Sequence, residues 1–303
     1  MYSDGTRRAD AILHGMCAVA TSPLIAPEEL AERLADPSIR IADCRWYLGK
    51  PDRGPREYAE GHIPGAIFID VDTVLAAHDG PGRHPLPQPA DFTERLGSLG
   101  IGDEHEVVVY DDAGGTIAAR LWWMLDNLGH RSVRVLDGGI PTWRALGLPI
   151  STDVPTHPPA NLRLADAWHE VIDREELRGR LGGVNLLDAR AGERYRGEVE
   201  PVDPLPGHIP TAISAPASGN LGPDGRMLPV EALRRRFATV CTPTRSTVTS
   251  CGSGVTACHN ALAMRVAGLP DPILYVGSYS DWSSAGEPVA TGSEPGAAQL
   301  RSS

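Results

Sequence analysis

The chain has 303 residues, 41% of them hydrophobic and 22% charged, with a formal net charge of −11. That length suits about two domains of ordinary size, each able to bury its own core. The acidic balance argues against a nucleic-acid or anionic-membrane partner, and no apolar run is long enough to span a bilayer.

Five cysteines (Cys17, Cys44, Cys241, Cys251 and Cys258) show no paired spacing and no Cys/His zinc grid, which fits free thiols in a reducing cytoplasm. The opening stretch RRADAILHGMCAVATSP has arginines and a short apolar run. His14 and Gly15 interrupt that run, and Asp4 and Asp10 dilute the charge. Residues 1–22 therefore read as a flexible extension rather than a secretory leader.

A first domain follows over residues 23–150. PEELAERLA reads as a helix with Pro27 suited to its first turn, and IRIAD as a buried strand. AIFID, EVVVY and VRVLD are further strand runs, and Trp122 and Trp123 suit the core side of a central helix. The stretch PISTDVPTHPPANLRLADA is rich in Pro, Ser and Thr with little periodicity, so residues 151–165 read as a linker. In the second domain, 166–290, DREELRGRL, PVEALRRRF and VTACHNALAMRV have helical patterns, while VNLLD, STVTS and PILYV read as strands. The arginines of LRRRF read as a solvated helix face. Residues 291–303 read as a flexible tail. Alternating strands and helices predict an α/β fold, with a parallel sheet covered by helices on both faces in each half.

The two halves repeat. IADCR matches LLDAR, GHIPGAIFI matches GHIPTAISA, and EVVVYDDAGGTIAARLWWML matches STVTSCGSGVTACHNALAM. The spacings are 145 for Asp43 and Asp188, 146 for His62 and His208, 140 for Asp111 and Cys251, and 139 for Trp143 and Trp282. Spacings this steady argue for duplication. His62 and His208 occur in both halves and read as turn residues. Trp282 could line a cleft, but its counterpart Trp143 points to packing.

Sites in such sheets lie at the C-terminal ends of strands, where Cys251 and Asp111 fall. Gly252 and Gly254 free the loop between the STVTS strand and the following helix. Inward N–H groups of that loop and the helix dipole would stabilise a thiolate at Cys251, which suits a nucleophile; a buried, inert thiol is the plainer alternative. A phosphate loop of the GxxxxGK[ST] type needs a lysine that is missing. A cysteine-phosphatase loop needs an arginine where Ala257 stands. Cys258 and His259 alone do not make a zinc site, and Cys258, two helical turns on, reads as core.

CGSGVTACH, the paired GHIP turns and the two D-x-R strand ends resemble the two-domain rhodanese-like sulfurtransferases over about residues 23–290. The loop is most similar to that of the 3-mercaptopyruvate-using members. The resemblance implies tandem rhodanese-like domains, the first catalytically silent and the second carrying the catalytic Cys251, with the site in the cleft between them. Asp111, a carboxylate, cannot accept a sulfane sulfur.

The resemblance also implies a proton relay of Ser253, His84 and Asp72, and a donor-binding arginine at Arg194. The loop N–H groups over Gly252, Gly254, Val255 and Thr256 complete the donor site. The loop carries no charged side chain, which favours 3-mercaptopyruvate over thiosulfate. Val202 stands where those relatives carry a second arginine, so the grip on the donor is weaker or built differently. The expected chemistry is transfer of sulfur from 3-mercaptopyruvate through a Cys251 persulfide to a thiol, a thioredoxin-like protein or cyanide, with no metal or organic cofactor. Thiosulfate as donor, and a persulfide carrier without turnover, are the alternatives.

Overall fold

The computed structural model describes residues 22–298; Cys17, nearly all of the expected N-terminal extension and the end of the expected tail lie outside the described residues. The first half holds strands β1 (Leu24–Ile25), β2 (Ile39–Asp43), β3 (Ala66–Phe68), β4 (Glu106–Tyr110) and β5 (Val133–Leu136). Helices α1 (Pro27–Glu32), α2 (Arg53–Glu60), α3 (Pro89–Ser98), α4 (Ala119–Asn127) and α5 (Gly139–Ala145) lie between and after them. The second half holds β6 (Val171–Ile172), β7 (Asn185–Asp188), β8 (Ile213–Ser214), β9 (Thr247–Ser250) and β10 (Ile273–Tyr275). Its helices are α6 (Arg174–Arg180), α7 (Gly192–Tyr195), α8 (Val230–Ala238), α9 (Ala257–Val266) and α10 (Ser278–Ser284).

Each half forms one five-stranded sheet, in the orders β1-β5-β4-β2-β3 and β6-β10-β9-β7-β8, with every pairing parallel. The two orders are the same, so the repeat in sequence is a repeat of topology. β4 and β9 are central. Val107, Val108, Val109 and Tyr110 are all buried, as a strand covered on both faces requires. In β9 the polar residues reach backbone oxygens instead: Thr249 Oγ1 donates to Ala257 O at 3.2 Å.

The shared motifs are structural fasteners. Arg45 holds Asp43 through Nε and Nη2 and donates to Gly61 O, and Arg190 does the same with Asp188 and Gly207 O. Both pairs are buried, and each ties a strand end to a GHIP turn. His62 stacks on Tyr58 at 4.0 Å and His208 on Tyr195 at 3.8 Å. Each imidazole Nδ1 lies 2.8 Å from the carbonyl oxygen of the tyrosine it covers. The Trp143 and Trp282 indoles donate to Pro149 O and Pro288 O. Trp282 is thus buried packing and does not line a cleft. On α8, Leu233 and Phe237 face inward while Arg234 and Arg235 are exposed; Arg236 is half-buried and donates to Asn220 Oδ1 and Pro216 O.

Residues 152–165 contain no helix or strand and run back over the first domain, where Ala160 N donates to Gly97 O and Ala165 N to Leu128 O. The beginning of the expected tail is anchored, since Thr211 N donates to Pro295 O and Gly292 N to Arg196 O. Between the halves, α4 packs on α9, and Leu121, Trp122, Leu125, Ala261 and Leu262 belong to one continuous core. Arg265 on α9 pairs with Asp126 on α4 at 2.9 Å. No helix among the described residues is long and apolar enough to cross a membrane.

His259, on α9 and fully buried, accepts a hydrogen bond from Asn220 Nδ2 at its Nδ1, 3.2 Å away. Burial pulls its pKa down to about 4. Between that value and an unfolded value of about 6.5, the unfolded chain binds a proton that the fold refuses. Stability is therefore full above pH ~6.5 and falls by up to about 3 kcal/mol as pH drops toward 4. Urea unfolding across this window should show the slope, and His259→Asn should flatten it; an unchanged slope would contradict a neutral buried imidazole.

Candidate active site

Cys251 follows the last residue of β9, at the C-terminal edge of the sheet. Its N–H donates to Ser278 Oγ at 3.1 Å and its carbonyl accepts from Tyr279 N at 3.0 Å, which pins it against the turn into α10. Ser278 takes a left-handed backbone, φ 52°, where the silent half places Gly139 at φ 58°. Such a conformation costs a serine about 1–3 kcal/mol and is tolerated where the surroundings enforce it. Here the Ser278 hydroxyl joins Cys251 N to Tyr275 O.

The Cys251 sulfur accepts from Gly254 N at 3.1 Å and Ser253 N at 3.4 Å, and the residue is 2% exposed. The two glycines do different jobs. Gly254 has φ +79° and a Cβ there would lie 2.6 Å from Val276 O, so conformation and space both demand glycine. Gly252 has no left-handed φ; a Cβ there would meet Arg83 Nη2 at 2.8 Å, so only space demands it. The helix begins at Ala257, two residues later than its sequence pattern predicts, because Val255 and Thr256 belong to the turn. The Val255 side chain is buried in the interdomain core, which leaves only its backbone for a ligand. Cys258 is buried, donates its thiol to Gly254 O at 3.3 Å, and is pushed up to about 12 by burial. It is a packing thiol.

The first domain reaches this loop with three side chains, those of His84, Arg120 and Arg83. His84 Nδ1 lies 2.7 Å from Ser253 Oγ, and His84 Nε2 lies 2.9 Å from Asp72 Oδ1. A carboxylate can only accept from Nε2–H, which leaves Nδ1 to accept from the Ser253 hydroxyl. His84 holds the Asp72 carboxyl below its ordinary range, and the Trp46 indole donating to Oδ2 at 2.9 Å adds to this. Arg120, on α4 and fully buried, donates from Nη1 to Gly254 O at 3.1 Å and from Nη2 to His84 O at 3.0 Å. Arg83 pairs with Asp203 and brings Nη2 over Gly252. Arg194, on α7, pairs with Glu200 at 2.7 Å and with Asp203 at 3.0 Å, and its Nη1 also lies near Gly252.

Ser253, His84, Asp72, Arg194 and the loop glycines thus converge on Cys251. The sequence reading missed Arg120 and Arg83. Arg83 sits beside His84 in PGRHPLP, and that adjacency was the available signal. Asp111, at the matching point after β4, fills its own loop: its carboxylate accepts from Ala113, Gly115, Ile117 and Ala118 N at 2.7–2.8 Å. Among the described residues no group of three or more His, Cys, Asp or Glu could hold a metal ion.

A duplicated α/β chain, with a cysteine in the loop after the central strand of its second half, defines a tandem-domain protein. The rhodanese-like domain profile matches residues 26–146 and 173–285, and the chain belongs to that family. It is 44% identical over 283 residues to a probable 3-mercaptopyruvate sulfurtransferase of Pseudomonas aeruginosa, covering 90% of this chain and 100% of that one. It is 40% identical over 268 residues to a putative thiosulfate sulfurtransferase of Mycobacterium tuberculosis, covering 86% of this chain and 94% of that one. Among solved structures, the 3-mercaptopyruvate sulfurtransferase of Leishmania major superposes with a TM-score of 0.77 at 35% identity, over 87% of this chain and 75% of that one.

Gly254→Ala should disturb the loop through both φ and the contact with Val276 O. The expected result is a stability loss of about 1–3 kcal/mol together with slower alkylation of Cys251 by iodoacetamide. Wild-type stability and alkylation in the variant would show that the loop does not need this conformation.

Proposed function

We propose that the chain is a sulfurtransferase that takes sulfur from 3-mercaptopyruvate onto Cys251 and passes it to a thiol, a thioredoxin-like protein or cyanide. The observation that carries this reading is the continuous chain Ser253–His84–Asp72 ending beside a cysteine sulfur held by two backbone N–H groups.

The Cys251 thiolate attacks the donor sulfur. An S–S bond forms as the donor C–S bond breaks, and the electron pair of that bond leaves on pyruvate as its enolate. The donor thiol gives up a proton, which the relay carries to the enolate. The Ser253 hydroxyl faces the loop, His84 accepts from it, and Asp72 fixes the imidazole in the tautomer that can accept. The persulfide inherits the Ser253 and Gly254 N–H groups. An acceptor nucleophile then attacks the outer sulfur, and Cys251 leaves as thiolate.

Thiosulfate is the second reading, and one observation favours it: the guanidinium groups of Arg83 and Arg194 above Gly252 supply charge that the loop side chains lack. Thiosulfate brings no thiol proton, so the relay would stand idle with it. The mercaptopyruvate reading uses the whole site.

Cys251→Ser should abolish pyruvate release from 3-mercaptopyruvate; undiminished turnover would sink the mechanism. His84→Ala should lower kcat/KM for 3-mercaptopyruvate by about 10²–10⁴-fold, the usual contribution of a positioned acid or base. The same change should leave any thiosulfate reaction much less affected. Equal losses with both donors would remove the proton-transfer role. Comparing kcat/KM for the two donors in the wild type decides between the readings.

A further inference from the structure

Arg83 is fixed from both ends against the second domain. Gly82 before it approaches so closely that a Cβ there would lie 2.4 Å from Gly277 O, and Arg83 N donates to Ser280 Oγ at 3.1 Å. The side chain then crosses the cleft. Its Nη1 pairs with Asp203 Oδ1, while Asp203 Oδ2 accepts from Arg194 Nη2 at 3.0 Å. One carboxylate therefore yokes two guanidinium groups, one from each domain. Their remaining arms point the same way. Arg83 Nη2 is the atom nearest the missing Cβ of Gly252, at 2.8 Å, and Arg194 Nη1 is next at 3.5 Å. Gly252 adjoins Cys251. Arg83 Nε is buried and makes no hydrogen bond. A buried guanidinium N–H without a partner is costly, and a site is where that cost is recovered on binding.

We propose that Arg83 is a donor-binding residue, which with Arg194 forms a clamp across the domain cleft for the carboxylate of a 2-oxo acid sulfur donor. The inference rests on the mercaptopyruvate reading above. Two guanidinium groups side by side can each give an N–H to one oxygen of a planar carboxylate. The carboxylate of 3-mercaptopyruvate lies three bonds from its sulfur, so holding it above Gly252 leaves the sulfur free to meet Cys251. The grip needs no arginine at Val202, which lines the same cleft as Arg83 and Asp203. It also makes donor binding depend on both domains being in register.

The test is steady-state kinetics with 3-mercaptopyruvate on wild type, Arg83→Met and Arg83→Lys, together with inhibition by pyruvate and thermal unfolding of each. Wild-type turnover of 3-mercaptopyruvate comes first; its absence defeats the underlying reading rather than this one. Given turnover, Arg83→Met should raise KM by about 10- to 100-fold, the worth of charge-assisted hydrogen bonds, and weaken pyruvate inhibition in parallel. Most of the loss should fall in KM rather than kcat. Arg83→Lys keeps the charge beside Asp203 but not the fork, and should give a smaller rise. A folded Arg83→Met with wild-type KM overturns the proposal, as does a fall in kcat with KM intact. Should Arg83→Met fail to fold, a wild-type KM in Arg83→Lys overturns it equally.

Discussion

One buried guanidinium joins the two halves beside the Cys251 loop. Arg120 leaves α4 of the first domain and holds Gly254 O in the cysteine loop with one arm and His84 O with the other. No carboxylate among the described residues pairs with it, and burial pulls its pKa down. An uncompensated buried cation is expensive. Its rigid fork is what sets the distance between the loop carrying Cys251 and the loop carrying His84. The packing of α4 on α9 keeps that fork in place, so the interdomain core is part of the site.

The duplication supplies an internal comparison. After β4 and after β9 the chain makes a loop that gathers backbone N–H groups around one position. In the first half that position is Asp111, whose own carboxylate takes four N–H donors and closes the loop to any ligand. In the second half it is Cys251, whose sulfur takes two. The fold thus gathers backbone N–H groups around one side chain in both halves, a carboxylate in the first and a thiol in the second. The first half still borders the Cys251 loop, because Asp72, His84, Arg83 and Arg120 all come from it.

Two interior strands of the first sheet were legible to the residue: IRIAD and EVVVY coincide with β2 and β4, whose apolar residues are buried because both faces are covered. The edge strands β1, β6 and β8 have two residues each and leave no period to read. Helix α2, RGPREYAE, was hidden by Gly54 and Pro55; Gly54 is there because a Cβ would lie 2.4 Å from Arg45 O. At the site, the loop chemistry pointed to Cys251, and family resemblance brought in Ser253, His84, Asp72 and Arg194. Arg120 could not be read, and Arg83 had only its place beside His84 in PGRHPLP as a signal. Arg83 lies in a loop and Arg120 on an apolar helix, and each is placed by a contact with the other half of the chain, Arg83 with Asp203 and Arg120 with Gly254. The absence of an arginine at Val202 was visible in sequence; the guanidinium at Arg83 that faces the same cleft was not.

The central claim is that one cysteine of the second half carries the transferred sulfur. Mass spectrometry of the protein after brief exposure to 3-mercaptopyruvate, without an acceptor, tests it most directly. The account predicts one added sulfur atom, found on the peptide bearing Cys251 and discharged when a thiol is supplied. Pyruvate release with Cys251 unmodified, or the sulfur residing on Cys44, Cys241 or Cys258, would contradict it.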